Sequence, residues 1–189
     1  MAHGGGGART RGEESVGLRL RIRSDLRHFE RYRELARRFL AAELLPADCV
    51  DDLVLVLDEC LTNVARHSYA ESAEQSIRVQ IDLECGPDGR GEHLYVAIVD
   101  QGGGGEGFDP ATRLASNLER LAAGEQSGLG LLLLFEIMDQ VGYRSVPGEN
   151  CLTLHKAFGR KSTGLPRMID EIRRTVARTA GETGPLGRS

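Results

Sequence analysis

The chain has 189 residues, 40% of them hydrophobic, which suffices for one well-buried domain and is short for two. Its 24 basic and 28 acidic side chains leave a formal charge of −4, which disfavours direct nucleic-acid binding, and its longest apolar run, Leu131 to Phe135, is too short to span a membrane. The cysteines, Cys49, Cys60, Cys85 and Cys151, lie far apart with no CxxC pair; they argue against a zinc site and predict reduced, mostly core thiols in a cytoplasmic protein.

Residues 1–16 are rich in glycine and polar side chains and read as a disordered leader ahead of a domain over 17–159. From Gly17 to Arg23, Leu18, Leu20 and Ile22 alternate with Arg19, Arg21 and Arg23, the period of a half-buried strand that opens the domain at a sheet edge. A helix from about Asp25 to Glu43 follows, with Leu26, Phe29, Leu35, Phe39 and Leu40 as its apolar positions. Residues 1–40 carry ten arginines against five acids, whereas residues 41–60 carry six acids and no base. The helix with Arg27, Arg31, Arg37 and Arg38 therefore reads either as a surface for an acidic protein partner or as a solvated arginine face.

Pro46 starts a second helix, from about Ala47 to His67, with Asp48 in its first turn where a negative charge suits the helix dipole. Leu53, Leu57, Cys60, Leu61 and Val64 recur at the spacing of a core-facing stripe. Glu59, Asn63 and His67 fall on the other side at strict four-residue spacing, stacked on one face because such residues drift by only about 40°. A carboxylate can take a proton from an attacking hydroxyl, and an amide oxygen one turn on can ligate a hard cation such as Mg²⁺, so the stripe suits phosphate chemistry. Taken alone, it also fits the solvated side of a surface helix.

Ile77, Val79, Ile81 and Leu83 alternate, Gly86 to Gly89 supply turn residues, and Leu94 to Val99 give a second strand, which together read as a β-hairpin. That strand ends in Asp100, followed by a glycine-rich stretch from Gly102 to Gly107. A strand-end carboxylate can accept a hydrogen bond from an exocyclic amine such as that of adenine, and glycines let a backbone approach a ligand. A short helix over Pro110–Ala122 leads to Gly128-Leu129-Gly130-Leu131, which introduces an apolar helix to about Val141 and could offer amides to an anionic phosphate. After a turn at Pro147–Asn150 comes a last hairpin strand, Leu152 to Phe158, and residues 160–189 read as an appendage with a possible short helix at Pro166–Thr179. No GxxxxGK[ST] loop occurs, and neither glycine group lies in a βαβ unit. The element order gives an α+β class: a two-layer sandwich with an antiparallel or mixed sheet covered by helices.

In order, Glu59-x3-Asn63-x3-His67, Asp100-x-Gly102 running to Gly107-Phe108-Asp109-Pro110, and Gly128-x-Gly130-Leu131 resemble the three nucleotide boxes of the GHKL (Bergerat) ATPase superfamily. The short connector, the Gly-Phe-Asp-Pro ending and the small size resemble its anti-sigma factor serine kinase branch, over roughly residues 18–158. The resemblance implies ATP and Mg²⁺ as cofactors, Glu59 as general base, Asn63 as the Mg²⁺ ligand, and Asp100 as the adenine acid. Gly102, Gly107, Gly128, Leu129, Gly130 and Leu131 would belong to the ATP cradle and its lid hinges, with His67 in support. It further implies a homodimer that sequesters a sigma factor and phosphorylates a serine of a small antagonist protein. The extra glycines after Gly102 depart from the family pattern at the lid. The alternative is a non-catalytic, ATP-gated protein-binding module. A histidine kinase's catalytic half is disfavoured, since it needs a dimerising helix with a phosphoaccepting histidine ahead of the first strand.

Overall fold

The computed structural model describes residues 14–43, 45–86, 90–103, 108–122 and 129–158. The expected leader, apart from its last three residues, and the expected tail helix lie outside them.

Five strands form one sheet: β1 (Glu14–Arg23), β2 (Ser76–Cys85), β3 (Gly91–Asp100), β4 (Gln140–Val146) and β5 (Glu149–Ala157). Their order is β1-β2-β3-β5-β4, and every pairing is antiparallel, so the sheet is not mixed. Four helices, α1 (Phe29–Ala42), α2 (Ala47–Asn63), α3 (Pro110–Ala122) and α4 (Leu129–Ile137), complete the α+β sandwich. Ile77, Val79, Ile81 and Leu83 of β2 and Leu94, Val96 and Ile98 of β3 turn one sheet face inward, where they pack with Phe29, Ala36 and Leu40 of α1 and the buried stripe of α2. The period-two and 3.6-residue patterns thus bury one face each of sheet and helix, and removal of that apolar area from water drives their docking.

The outer sheet face stays polar. Arg19 pairs with Asp82 at 2.6 Å and Arg78 with Glu149 at 2.8 Å, while His155 stacks on Tyr95 with centroids 4.8 Å apart. A shallow depression of about 360 Å³ on this face is lined by Gln80, Tyr95, Gln140, Thr153 and His155, and none of the motif residues borders it.

Several boundaries differ from expectation. β1 begins three residues early, at Glu14, because its ladder continues to Glu14 opposite Cys85. The first helix opens with a 3-10 turn, Leu26–His28, capped by Asp25, whose Oδ1 accepts from the Arg27 amide at 3.1 Å. The apolar helix stops at Ile137 rather than Val141, and Gln140–Val146 is the edge strand β4. Competing backbone partners decide this: the Asp139 amide donates to His155 O at 2.9 Å and Asp139 Oδ2 accepts from the Ala157 amide at 2.7 Å, which turns the chain alongside β5. The turn is accordingly confined to Pro147-Gly148, and Asn150 is already in β5.

The arginines of the first helix are largely consumed within the fold. Arg33 pairs with Asp58 at 3.0 Å, Arg37 with Asp51, Arg38 with Glu34 at 2.7 Å, and Arg27 with Asp25 at 2.7 Å. The charge asymmetry between residues 1–40 and 41–60 is therefore in part a set of α1–α2 ion pairs rather than a free basic surface.

Leu57 is 5% exposed on the inner side of α2 and Leu55 is 44% exposed on its outer side. Leu57→Ala should cost about 2–5 kcal/mol in urea denaturation and Leu55→Ala no more than about 0.5 kcal/mol; equal losses would contradict the orientation of α2.

Candidate functional site

The site begins with α2, whose inward stripe, Leu53, Leu57, Cys60 and Leu61, is buried, so its opposite face must carry the polar residues. Glu59 is half-buried and Asn63 exposed there. Burial pushes the Cys60 thiol beside Glu59 up to about 12, which keeps it protonated and inert.

The expected helix to His67 is interrupted. Residues Val64–Ser68 form a π turn, in which the Tyr69 amide donates to Val64 O at 3.2 Å, so the step from Asn63 to His67 is not an α-helical one. His67 is exposed on that turn. Ala70 and Glu71 then take φ of +48° and +63°, a left-handed conformation that non-glycine residues hold only under constraint. The constraint is visible: Tyr69 hydroxyl donates to Ser76 O at 2.9 Å and accepts from the Gln101 amide at 2.8 Å, and the Gly103 amide donates to Ser68 O at 3.1 Å. The end of α2 is thereby strapped to the loop that follows β3.

Two glycines stand where the chain approaches a neighbour closely, Gly102 against backbone and Gly130 against a side chain. A Cβ on Gly102 would lie 2.6 Å from the backbone carbon of Ser68, and one on Gly130 would lie 2.9 Å from Glu59 Cδ and closer still to its Oε2. The second contact joins two motif residues about seventy positions apart, setting the first turn of α4 against the Glu59 carboxylate. Leu131 packs against the core, whereas Leu129 is 57% exposed at the helix start. Gly107 and Gly128 lie outside the described residues.

Asp100 ends β3 and is only 3% exposed. Its Oδ1 accepts from the Gly102 amide at 2.8 Å and from Asn150 Nδ2 at 2.9 Å, while Oδ2 takes no hydrogen bond among the described residues. A buried carboxylate with one oxygen satisfied and one open can receive a donor from a ligand. Tyr143 stands nearby: burial pushes its phenol upward and the Asp100 charge adds to the shift. Phe108 meets Tyr143 edge-to-face with centroids 4.8 Å apart, an apolar wall suited to a planar base. No local sequence pattern marks Asn150, Tyr69 or Tyr143; Asn150 reads as a turn residue, and only its place opposite Asp100 in the β3–β5 register reveals it.

The Phe-Asp-Pro stretch has a local explanation. Asp109 Oδ2 accepts from the Thr112 amide at 3.0 Å and from its hydroxyl at 2.6 Å, and Pro110 fills the first helical position of α3, so the motif is a helix start. The bond from the Thr112 hydroxyl, followed by that from its amide, holds the Asp109 carboxyl below its usual range.

These residues fit a nucleotide with a divalent cation. No cluster of three or more His, Cys, Asp or Glu able to hold a metal occurs among the described residues. Asn63, carrying an amide oxygen on an exposed face beside Glu59, suits Mg²⁺, which keeps waters and phosphates as its remaining ligands. No helix among the described residues is long and apolar enough to cross a membrane.

Gly102→Ala meets backbone and should lower stability by about 1–3 kcal/mol, whereas Gly130→Ala meets the mobile end of Glu59 and should leave stability within about 1 kcal/mol while displacing that carboxylate; urea denaturation separates the two. The Asp109 cap, whose folded pKa is depressed, contributes in full above the unfolded aspartate value near ~4 and loses its contribution as the pH falls through the lower folded value. The melting-temperature gap between wild type and Asp109→Ala should therefore shrink on acidification below about pH 4 and stay level above about pH 5.

A family model described as the histidine kinase-like ATPase domain matches residues 22–156. An anti-sigma F factor from Pasteuria penetrans is 27% identical over 124 residues, covering 64% of this chain and 76% of that protein. The structure of the RsbU and RsbW domains of Rv1364c from Mycobacterium tuberculosis aligns with a TM-score of 0.50 at 15% identity over 78% of this chain and 34% of that one, so this chain spans about a third of its length. The SiaB-SiaC complex from Pseudomonas aeruginosa aligns with a TM-score of 0.49 at 16% identity, over 72% and 88% of the two chains. The family match runs from Ile22 in β1 to Lys156 in β5 and takes in the α2 stripe, Asp100 and the start of α4: the chain belongs to the histidine kinase-like ATPase domain family.

Proposed function

We propose that the protein is a cytoplasmic, ATP-binding anti-sigma factor with protein-serine kinase activity, which phosphorylates a small antagonist protein and, as a homodimer, sequesters a sigma factor. The observation that carries this reading is the approach of Gly130 to the Glu59 carboxylate, which puts a proton acceptor beside a helix N-terminus suited to phosphate. The likeness to an anti-sigma F factor supports the choice of branch.

ATP and Mg²⁺, when bound, supply the transferable phosphoryl group and the positive charge that offsets its oxygens. Asn63 would hold the metal through its amide oxygen, Asp100 the exocyclic amine of the base, and the backbone at Gly102 and Gly130 the nucleotide where side chains would intrude, with Gly107, Gly128, Leu129, Leu131 and His67 around it. Glu59 would take the proton of the partner's serine hydroxyl as the phosphoryl group passes to that oxygen and ADP is released. Such catalysis consists of positioning and charge stabilisation, which is why a carboxylate held against a helix start suffices.

Glu59→Ala should keep ATP affinity within a few-fold and lower phosphate transfer by about 10² or more, the usual contribution of a general base. The partner assay is capture of the tagged protein's associates from its native lysate with Mg-ATP or Mg-ADP, with phosphoserines mapped by mass spectrometry. A sigma factor held in ATP together with a newly phosphorylated small protein supports the reading. ATP-dependent capture without phosphate transfer would instead favour a non-catalytic binding module, and no nucleotide dependence would sink both.

A further inference from the structure

Asn150 lies directly opposite Asp100 in the β3–β5 register, and both side chains are 3% exposed. Its Nδ2 donates to Asp100 Oδ1 at 2.9 Å and to Gly102 O at 3.1 Å, while its Oδ1 accepts from the Ser145 hydroxyl at 2.8 Å. These bonds decide which way the amide points, because the flipped amide would aim its oxygen at a carboxylate and a carbonyl.

The consequence falls on Asp100. A carboxylate oxygen has two lone pairs, and Oδ1 spends both, one on Asn150 Nδ2 and one on the Gly102 amide. Among the described residues Oδ2 takes no hydrogen bond, and it alone is left to a ligand. The adenine edge offers one exocyclic amine beside a ring acceptor and needs one carboxylate oxygen. Guanine offers a ring N–H and an exocyclic amine side by side, which a carboxylate grips with both oxygens.

We propose that Asn150 is the positioning residue that makes the base pocket selective: by filling Asp100 Oδ1 it leaves one acceptor, which suits adenine nucleotides and denies guanine nucleotides their two-point grip. Ser145, on β4, is the second member of the device, since its hydroxyl holds the amide in the required orientation. The inference rests on the reading that Asp100 receives the base.

The test is competition binding on the full chain with Mg²⁺ and a fluorescent ATP analogue, displaced by unlabelled ATP or GTP, for wild type, Asn150→Ala, Ser145→Ala and Asp100→Asn. Wild type should prefer ATP. Asn150→Ala should narrow the ATP-to-GTP affinity ratio by about tenfold, the equivalent of one charge-assisted hydrogen bond, and Ser145→Ala should narrow it less but in the same direction. A merely structural role would lower both affinities together and leave the ratio unchanged, which overturns the inference. Ser145→Ala, a half-buried hydroxyl removed from an edge strand, decides the matter if Asn150→Ala does not fold. Loss of ATP affinity in Asp100→Asn with unaltered ratios in the other variants sinks the Asn150 role alone; undiminished ATP affinity in Asp100→Asn sinks the underlying assignment of the base site.

Discussion

The docking of α2 on the sheet is the constraint from which the rest of the molecule follows. Seven of its residues, from Val50 to Leu61, are buried on one side. Apolar burial is non-directional in general, but on a helix with a 3.6-residue period it fixes rotation about the axis, and with it where every other side chain must point. Glu59 and Asn63 are therefore oriented by leucines they do not touch. The same rotation brings α4 to the exposed flank of α2, where a residue without a side chain, Gly130, lets the Glu59 carboxylate keep its place against the helix start.

A second constraint operates at the end of β3. Asp100 belongs to the inward-facing set that includes Val96 and Ile98, so the strand's alternation delivers a carboxylate to a buried position at the edge of the core. A buried carboxyl group there requires hydrogen-bond partners, and the Gly102 amide and Asn150 provide them. The loop after β3 is thus shaped by the carboxylate, and its attachment to the π turn through Tyr69 and Ser68 carries that geometry to the end of α2. The strained Ala70 and Glu71 lie in the connection that makes this attachment possible.

How much of this was legible in the sequence depends on the range of the interaction. The α2 stripe, the β2–β3 hairpin and the strand-end aspartate are local patterns, with periods of 3.6 and 2 residues, and they emerged within a few residues of their observed bounds. The start of β4 is hidden because Gln140 and Val141 follow directly on the apolar run and read as the end of its helix; the bonds of Asp139 to β5, about sixteen residues on, end that helix at Ile137. The arginine-rich first helix looked like a partner surface because its counter-charges, Asp51 and Asp58, sit on a different helix. Asn150 was missed for a related reason: beside Pro147-Gly148 its residue type reads as a turn former, and only register places it across from Asp100.

These long-range placements also change what the surface can offer a partner. With Arg33 and Arg37 engaged by α2 acids, a partner that approaches the α1–α2 face meets paired charges of both signs and the exposed Leu55 rather than a uniformly basic helix. Exposed ion pairs of this kind contribute little to stability and are screened by salt, so their main effect is on which complementary charges can approach and in what register. Asp58, which holds Arg33, is the residue immediately before Glu59, and the ion-pair row therefore runs into the face that carries Glu59 and Asn63. A protein seated on that row would meet α2 beside Glu59 and Asn63.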